Sequence, residues 1–200
     1  MAVSDAGFYE GRRKGLLMSI KRSKEVRDNF SRYKRIKELD KKLKKCEFVM
    51  VERRGNSRYE CCEKGIKLGD EFLVLRCDAK KDILRTLHIQ LFCKSLQNCP
   101  CYRFESNGSP HMNRAGYLKG RQIPTPHFHE FDETGYEMAY QTEELLDSGH
   151  DLLKSREAVM SHFCKVHNIN LESAIKITPS EMLPVEDREE DCLKGIIFND

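Results

Sequence analysis

Three of the seven histidines fall within nineteen residues, in Pro110-His111 and in Pro126-His127-Phe128-His129. Imidazole titrates near neutrality, so such a cluster suits proton transfer, hydrogen bonding to a nucleobase or, in the neutral form, metal ligation. A histidine on an aromatic face is also often a hydrogen-bonded core residue, and these roles are all open at this stage. In a strand, residues two apart share a side, which puts His127 and His129 together. If Asp132 to Gly135 makes the following turn, Phe131 faces Tyr136, His129 faces Met138 and His127 faces Tyr140. One face then carries both histidines with Tyr140, while the other sets Glu130 against Glu137, an unfavourable pair unless solvated or bound to a cation. Upstream, Asn107-Gly108 supplies the positive φ of a two-residue type I′ hairpin turn. That hairpin places His111 across from Phe104 and Arg103 across from Met112, on opposite faces. The catalytic candidates are therefore His111, His127, His129 and Tyr140. One chemistry that would use them is RNA cleavage without metal or cofactor. One imidazole takes the 2′-hydroxyl proton, another protonates the leaving oxygen, Tyr140 orients one of them, and Arg103, Arg114 or Arg121 stabilises the phosphorane.

Metal ligation is an alternative, because His127-x-His129 with Glu133 four residues on approaches the His-x-His-x-x-x-Glu ligand set of cupin barrels. The second cupin motif has no counterpart after Gln141, and His111 is the one nearby third ligand. Cys61-Cys62 and Cys99-Pro100-Cys101 lack the paired Cys-x-x-Cys spacing of a zinc site. There is no phosphate-cradling glycine loop, nucleophile elbow, His-Glu-x-x-His or kinase signature, so the common nucleotide-dependent and serine-hydrolase chemistries are excluded.

The elements that must position these residues show in charge and periodicity. Net charge runs −2 over residues 1–10, +11 over 11–45, +5 over 46–129 and −11 over 130–200. Within 11–45, Val26, Phe30, Tyr33, Ile36, Leu39 and Leu43 recur every three or four residues, which predicts a basic amphipathic helix. Its Arg12, Arg13, Lys14, Lys41 and Lys42, with Arg103, Arg114 and Arg121, are the candidate nucleic-acid contacts. Neutralisation of this helix by the acidic C-terminal third is the competing reading. Residues 46–142 hold short β-rich runs separated by turn residues, and Leu87, Ile89, Leu91 and Cys93 alternate with His88 and Gln90, so His88 faces outward. From Thr142 the helical pattern returns, with Ser155 as N-cap, Val159, Phe163 and Val166 on one stripe, and Asn168 as the stop. The expected fold is α+β: a mostly antiparallel sheet (46–142) flanked by a basic N-terminal helix (1–45) and acidic C-terminal helices (143–200). No apolar run approaches the roughly 20 residues of a membrane span, and Met1 to Glu10 lacks a signal-peptide pattern, so a cytoplasmic protein with mostly reduced cysteines is expected.

Arg103-Phe104-Glu105-Ser106-Asn107-Gly108-Ser109-Pro110-His111-Met112-Asn113, Pro126-His127-Phe128-His129 and Gly135-Tyr136-Glu137-Met138-Ala139-Tyr140 together resemble an uncharacterised family of small bacterial and phage proteins. That family carries Asn-Gly-x-Pro-His-x-Asn, Gly-Pro-His-x-His and Gly-Tyr-Gly-Asp-x-Trp-Ala-Tyr. Here Thr125 replaces the glycine, Glu137 follows Tyr136 without Gly-Asp, and Met138 replaces the tryptophan. The paired Pro-His and Pro-His-x-His units are also loosely similar to the TumE-type toxins of toxin–antitoxin modules, a likeness that rests on His111, His127, His129, Pro110 and Pro126. It implies a mobile-element or phage-defence protein that acts on RNA or the translation machinery, with RNA, a nucleic-acid-binding target protein or a cognate antitoxin as partner. A non-catalytic binding module or inhibitor, whose acidic third mimics nucleic-acid charge, is the alternative, and a homodimer through the N-terminal helix is a third arrangement.

Overall fold

The computed structural model describes residues 22–182, apart from 82, 84 and 85. The chain opens with helices α1 (Lys24–Asp28) and α2 (Phe30–Glu38), then strands β1 (Lys41–Leu43), β2 (Glu47–Val49), β3 (Val51–Arg53), β4 (Asn56–Leu68) and β5 (Glu71–Lys80). It continues through β6 (Leu87–Cys93), β7 (Tyr102–Glu105), β8 (His111–Met112), β9 (Gln122–Ile123), β10 (His127–Phe131) and β11 (Glu137–Tyr140). Helices α3 (Glu143–Leu152) and α4 (Arg156–Val166) and strands β12 (Ile169–Leu171) and β13 (Lys176–Thr178) complete it. The fold is α+β, as the sequence predicts.

Seven strands form an antiparallel sheet in the order β11-β10-β7-β6-β5-β4-β3. Its two faces differ in chemistry because the strand repeat is two. One face carries Cys62, Ile66, Leu73, Leu75, Cys77, Ile89, Leu91, Phe104 and Phe128, all buried. Tyr33 and Ile36 of α2 and Val159, Met160 and Phe163 of α4 join the same core. Phe128 stacks on Phe163 at 6.1 Å between centroids, and Tyr33 on Tyr102 at 4.7 Å. The opposite face is polar. Two cross-strand rows pave it: Cys61, Asp78, His88, Glu105 and His127, and beside them Glu63, Arg76, Gln90, Arg103 and His129.

The N-terminal stretch departs from a single helix over 11–45. Ser23 caps α1, its Oγ accepting from the Val26 amide at 3.1 Å, and α2 ends at Glu38. Beyond it the chain becomes β1, which pairs in parallel with β12, while β2 pairs in parallel with β13. Leu43 is thus buried by strand alternation rather than by a helical stripe. Lys41, expected at a nucleic-acid surface, is fully buried. Its ammonium donates to the carbonyls of Ile36 at 2.7 Å, Lys37 at 3.2 Å and Leu39 at 2.6 Å, which satisfies the acceptors that the last turn of α2 leaves open. Asn168, in the left-handed region with φ 51°, ends α4 as expected and donates to Glu38 O at 3.0 Å. Lys41→Met should cost about 2 kcal/mol in urea unfolding, since buried carbonyls lose their donor; an unchanged midpoint would show that water replaces the ammonium. Lys42 is exposed on β1, and Arg12, Arg13 and Lys14 lie outside the described residues. No helix among the described residues is long and apolar enough to cross a membrane.

Candidate functional site

His127 and His129 project from β10 onto the polar face, as their spacing requires, but the partners across from them differ from expectation. The β10–β11 turn closes one residue tighter: the Asp132 amide donates to Tyr136 O at 3.0 Å, and Asp132 Oδ1 accepts from the amides of Thr134 at 2.9 Å and Tyr136 at 3.0 Å. Gly135, with φ 81°, supplies the left-handed residue that ends such a three-residue loop. Register therefore moves by one, pairing Phe128 with Tyr140, His129 with Ala139 and Phe131 with Glu137. A one-residue shift sends every side chain of the partner strand to the other face. Tyr140 is accordingly removed from the histidine site. It stacks on Phe128 at 5.6 Å and meets the Lys37 ammonium on the core side. Glu130 and Glu137, expected to oppose each other, sit on opposite faces and take separate partners, Lys37 at 2.5 Å and Arg103 at 2.9 Å.

The Asn107-Gly108 hairpin is likewise corrected. Strand β7 pairs with β6 and β10, whereas β8 turns away to pair with β9, forming a finger along the β11 edge. The device that docks it is Asn113. Its carboxamide donates to Ala139 O at 2.9 Å and accepts from the Ala139 amide at 2.8 Å, imitating the strand partner that β11 lacks on that side. Two residues earlier, His111 is thereby laid over the paired histidines. Its ring centroid is 4.8 Å from that of His129 and 6.1 Å from that of His127, and those two are 4.7 Å apart. Arg103 and His111, expected on opposite faces, converge on one site.

Register also brings in a carboxylate. On β7, Arg103 lies directly across from His129 and Glu105 across from His127. The Glu105 oxygens are 3.7 Å from His127 Nε2 and 3.7 Å from His129 Nε2. The Arg103 guanidinium donates to Glu105 at 2.8 Å, to Glu137 at 3.1 and 2.9 Å, and to His129 Nδ1 at 3.2 Å. With its donors so engaged, Arg103 positions the site and is not an open phosphate contact, a second correction to the expected nucleic-acid residues. His129 and Arg103 together hold the Glu105 carboxyl down at about 2. Burial pushes His129 down to about 4 and lowers His127 and His111 as well. All three imidazoles are thus mainly neutral at pH 7.

The tautomers follow from the partners. A guanidinium can only donate, so His129 Nδ1 accepts and its Nε2 carries the proton. A carbonyl can only accept, so His127 Nδ1 donates to Pro124 O at 3.1 Å and leaves Nε2 with its lone pair. Both Nε2 atoms are buried without a hydrogen-bond partner among the described residues. A base nitrogen and an N–H donor therefore sit side by side beneath one carboxylate.

Glu105, His127 and His129 offer ligand atoms within 4.8 Å of one another, so the same residues resemble a metal triad. The Arg103 contact weighs against that use, because a ligating His129 Nε2 would require a proton on Nδ1 facing a cation. Glu133, the expected carboxylate ligand, is exposed on the β10–β11 turn, far in register from the cluster. Arg114 and Arg121 are exposed on the finger that carries His111. Cys77, Cys93, Cys101 and Cys164 are buried free thiols whose pKa values burial raises, which leaves no activated nucleophile among them. Sequence reasoning missed Glu105 and Asn113. Their signal was the alternation Arg103-x-Glu105, matched to His127-x-His129, once β7 and β10 are taken as neighbours. Comparison of the chain with models of protein families, with curated proteins and with solved structures finds no match.

Proposed function

We propose that this protein is an RNA-directed, metal-independent endoribonuclease whose reaction is carried by His127, His129 and His111. The observation that carries the reading is the complementary pair of tautomers: an unprotonated Nε2 on His127 next to a protonated Nε2 on His129. Unprotonated His127 takes the proton of a ribose 2′-hydroxyl, whose oxygen attacks the adjacent phosphorus. Neutral His129 donates its Nε2–H to a phosphoryl oxygen, as a pre-oriented N–H stabilises developing charge. The P–O5′ bond breaks and the departing oxygen takes a proton from His111, the half-buried histidine that exchanges protons with solvent. The products are a 2′,3′-cyclic phosphate and a 5′-hydroxyl. Substrate enters over the polar sheet face by displacing the Glu105 side chain, which is 24% exposed above histidines that are 1% exposed. A mobile-element or defence setting, with a cognate antitoxin, fits such an activity.

The test is cleavage of total RNA by the purified chain with and without EDTA from pH 5 to 8. His127 must be unprotonated and His111 protonated, and both are shifted below the ordinary 6.5. Activity should therefore peak on the acid side of pH 6.5, decline toward pH 8 as His111 loses its proton, fall at lower pH as His127 gains one, and ignore EDTA. Folded protein that leaves RNA intact throughout this range would end the reading, and EDTA-sensitive cleavage would transfer the cluster to metal chemistry.

A further inference from the structure

On the polar sheet face Arg76 and Arg103 are committed to carboxylates, whereas Lys80, at one end of that face, holds no ion pair among the described residues. Strand β4 enters the sheet through Arg54-Gly55-Asn56-Ser57-Arg58, and Asn56, Arg58, Tyr59, Lys80 and Ile83 line a groove of about 550 Å³. Tyr59 and Lys80 are directly opposed across β4 and β5, and the Lys80 ammonium lies 5.6 Å from the Tyr59 ring centroid. Three carboxylates at this end of the sheet have partners: Glu52 with Lys81 at 2.6 Å, Glu60 with Arg156 at 2.5 Å and Asp78 with Arg76 at 2.8 Å. Arg54, Arg58 and Lys80 hold no ion pair among the described residues. A groove whose cations hold no ion pair among the described residues and whose wall is aromatic has the two properties that single-stranded nucleic acid needs, a track for phosphates and a platform for a base.

Its position connects it to the histidines. The Tyr59–Lys80 pair lies two residues from the row Cys61, Asp78, His88, Glu105, His127, and hence on the same face of the sheet. From β5 to β10 are three strand spacings, about 14 Å at ~4.8 Å each, a span of a few nucleotides. Along the way stand Asp78, His88 and Glu105.

We propose that the Arg58–Tyr59–Lys80 groove is the substrate anchor: it binds two backbone phosphates and stacks a base of single-stranded RNA whose next nucleotides cross the sheet face to Glu105. This rests on the endoribonuclease reading for its direction but is measured by binding alone. The probe is a fluorescent 2′-O-methyl oligouridylate, which has no 2′-hydroxyl to react, titrated against the full chain at several salt concentrations. Arg58→Gln with Lys80→Gln should weaken binding by about 20-fold at 0.1 M salt and reduce the slope of log K against log salt by about 1.4, as expected for two lost phosphate contacts at ~0.7 each. Tyr59→Ala should weaken it by about tenfold with the slope unchanged.

Wild-type affinity and slope in both groove variants would overturn the anchor, as would absence of binding by the wild-type chain. Displacement of the RNA by polyglutamate, with Tyr59→Ala without effect, would assign the groove to an acidic protein instead and equally overturn it. Binding that follows the groove variants while natural RNA stays uncleaved would keep the anchor and remove the nuclease.

Discussion

Replacing His127 by alanine is expected to lower RNA cleavage by about 10²- to 10⁴-fold, the range that a positioned general base contributes. His129→Ala should fall in the same range, and the double variant should lose little more, because groups that act as one unit are not additive. The reason is geometric. His127 Nε2 and His129 Nε2 face the same carboxylate at 3.7 Å, and neither has another hydrogen-bond partner. Both rings are almost wholly buried, so the variants create cavities, and near-ultraviolet circular dichroism of the Tyr33–Tyr102 stack serves as the check that packing survives. Folded variants that cleave at the wild-type rate would show the histidines to be core residues.

Arg103→Met is expected to have the largest effect on stability, about 3 kcal/mol in denaturant unfolding. Glu137 is 5% exposed and takes two hydrogen bonds from Arg103, so removal of the cation takes two charge-assisted hydrogen bonds from a buried carboxylate. The same change releases His129 Nδ1 from a donor that fixes its tautomer. His129 Nε2 then becomes free to carry a lone pair beside those of His127 and Glu105, whose ligand atoms span no more than 4.8 Å. The variant, unlike the wild type, should therefore be stabilised by zinc ions in thermal denaturation. Stabilisation of the wild type by zinc would mean that Arg103 yields to a metal, and would transfer the site to metal chemistry.

Much of this molecule is readable without coordinates. The alternation around Leu87–Cys93, the helical stripe of α4 with its Ser155 cap and the β-rich character of residues 46–142 all reflect local repeats of two and 3.6, which a chain must satisfy to bury one face. The pairing of His127 with His129 on one side is equally local. Turn closure is where local reading failed. Asp132 accepts from three groups within its own turn and draws the loop one residue tighter, and this alone removed Tyr140 from the site.

By itself, the sequence determined the α+β class, the side shared by His127 and His129, and the concentration of imidazoles near them, because these follow from residue type and backbone period. Only the tertiary structure decided which strands are neighbours. That choice brought Arg103 and Glu105 against the histidines, let Asn113 dock the finger that carries His111, buried Lys41, and set the Tyr59–Lys80 pair on the same face. Strand order and register are long-range outcomes of burying one sheet face under helices from both ends of the chain, and a one-residue difference in a turn exchanges the two faces of a strand.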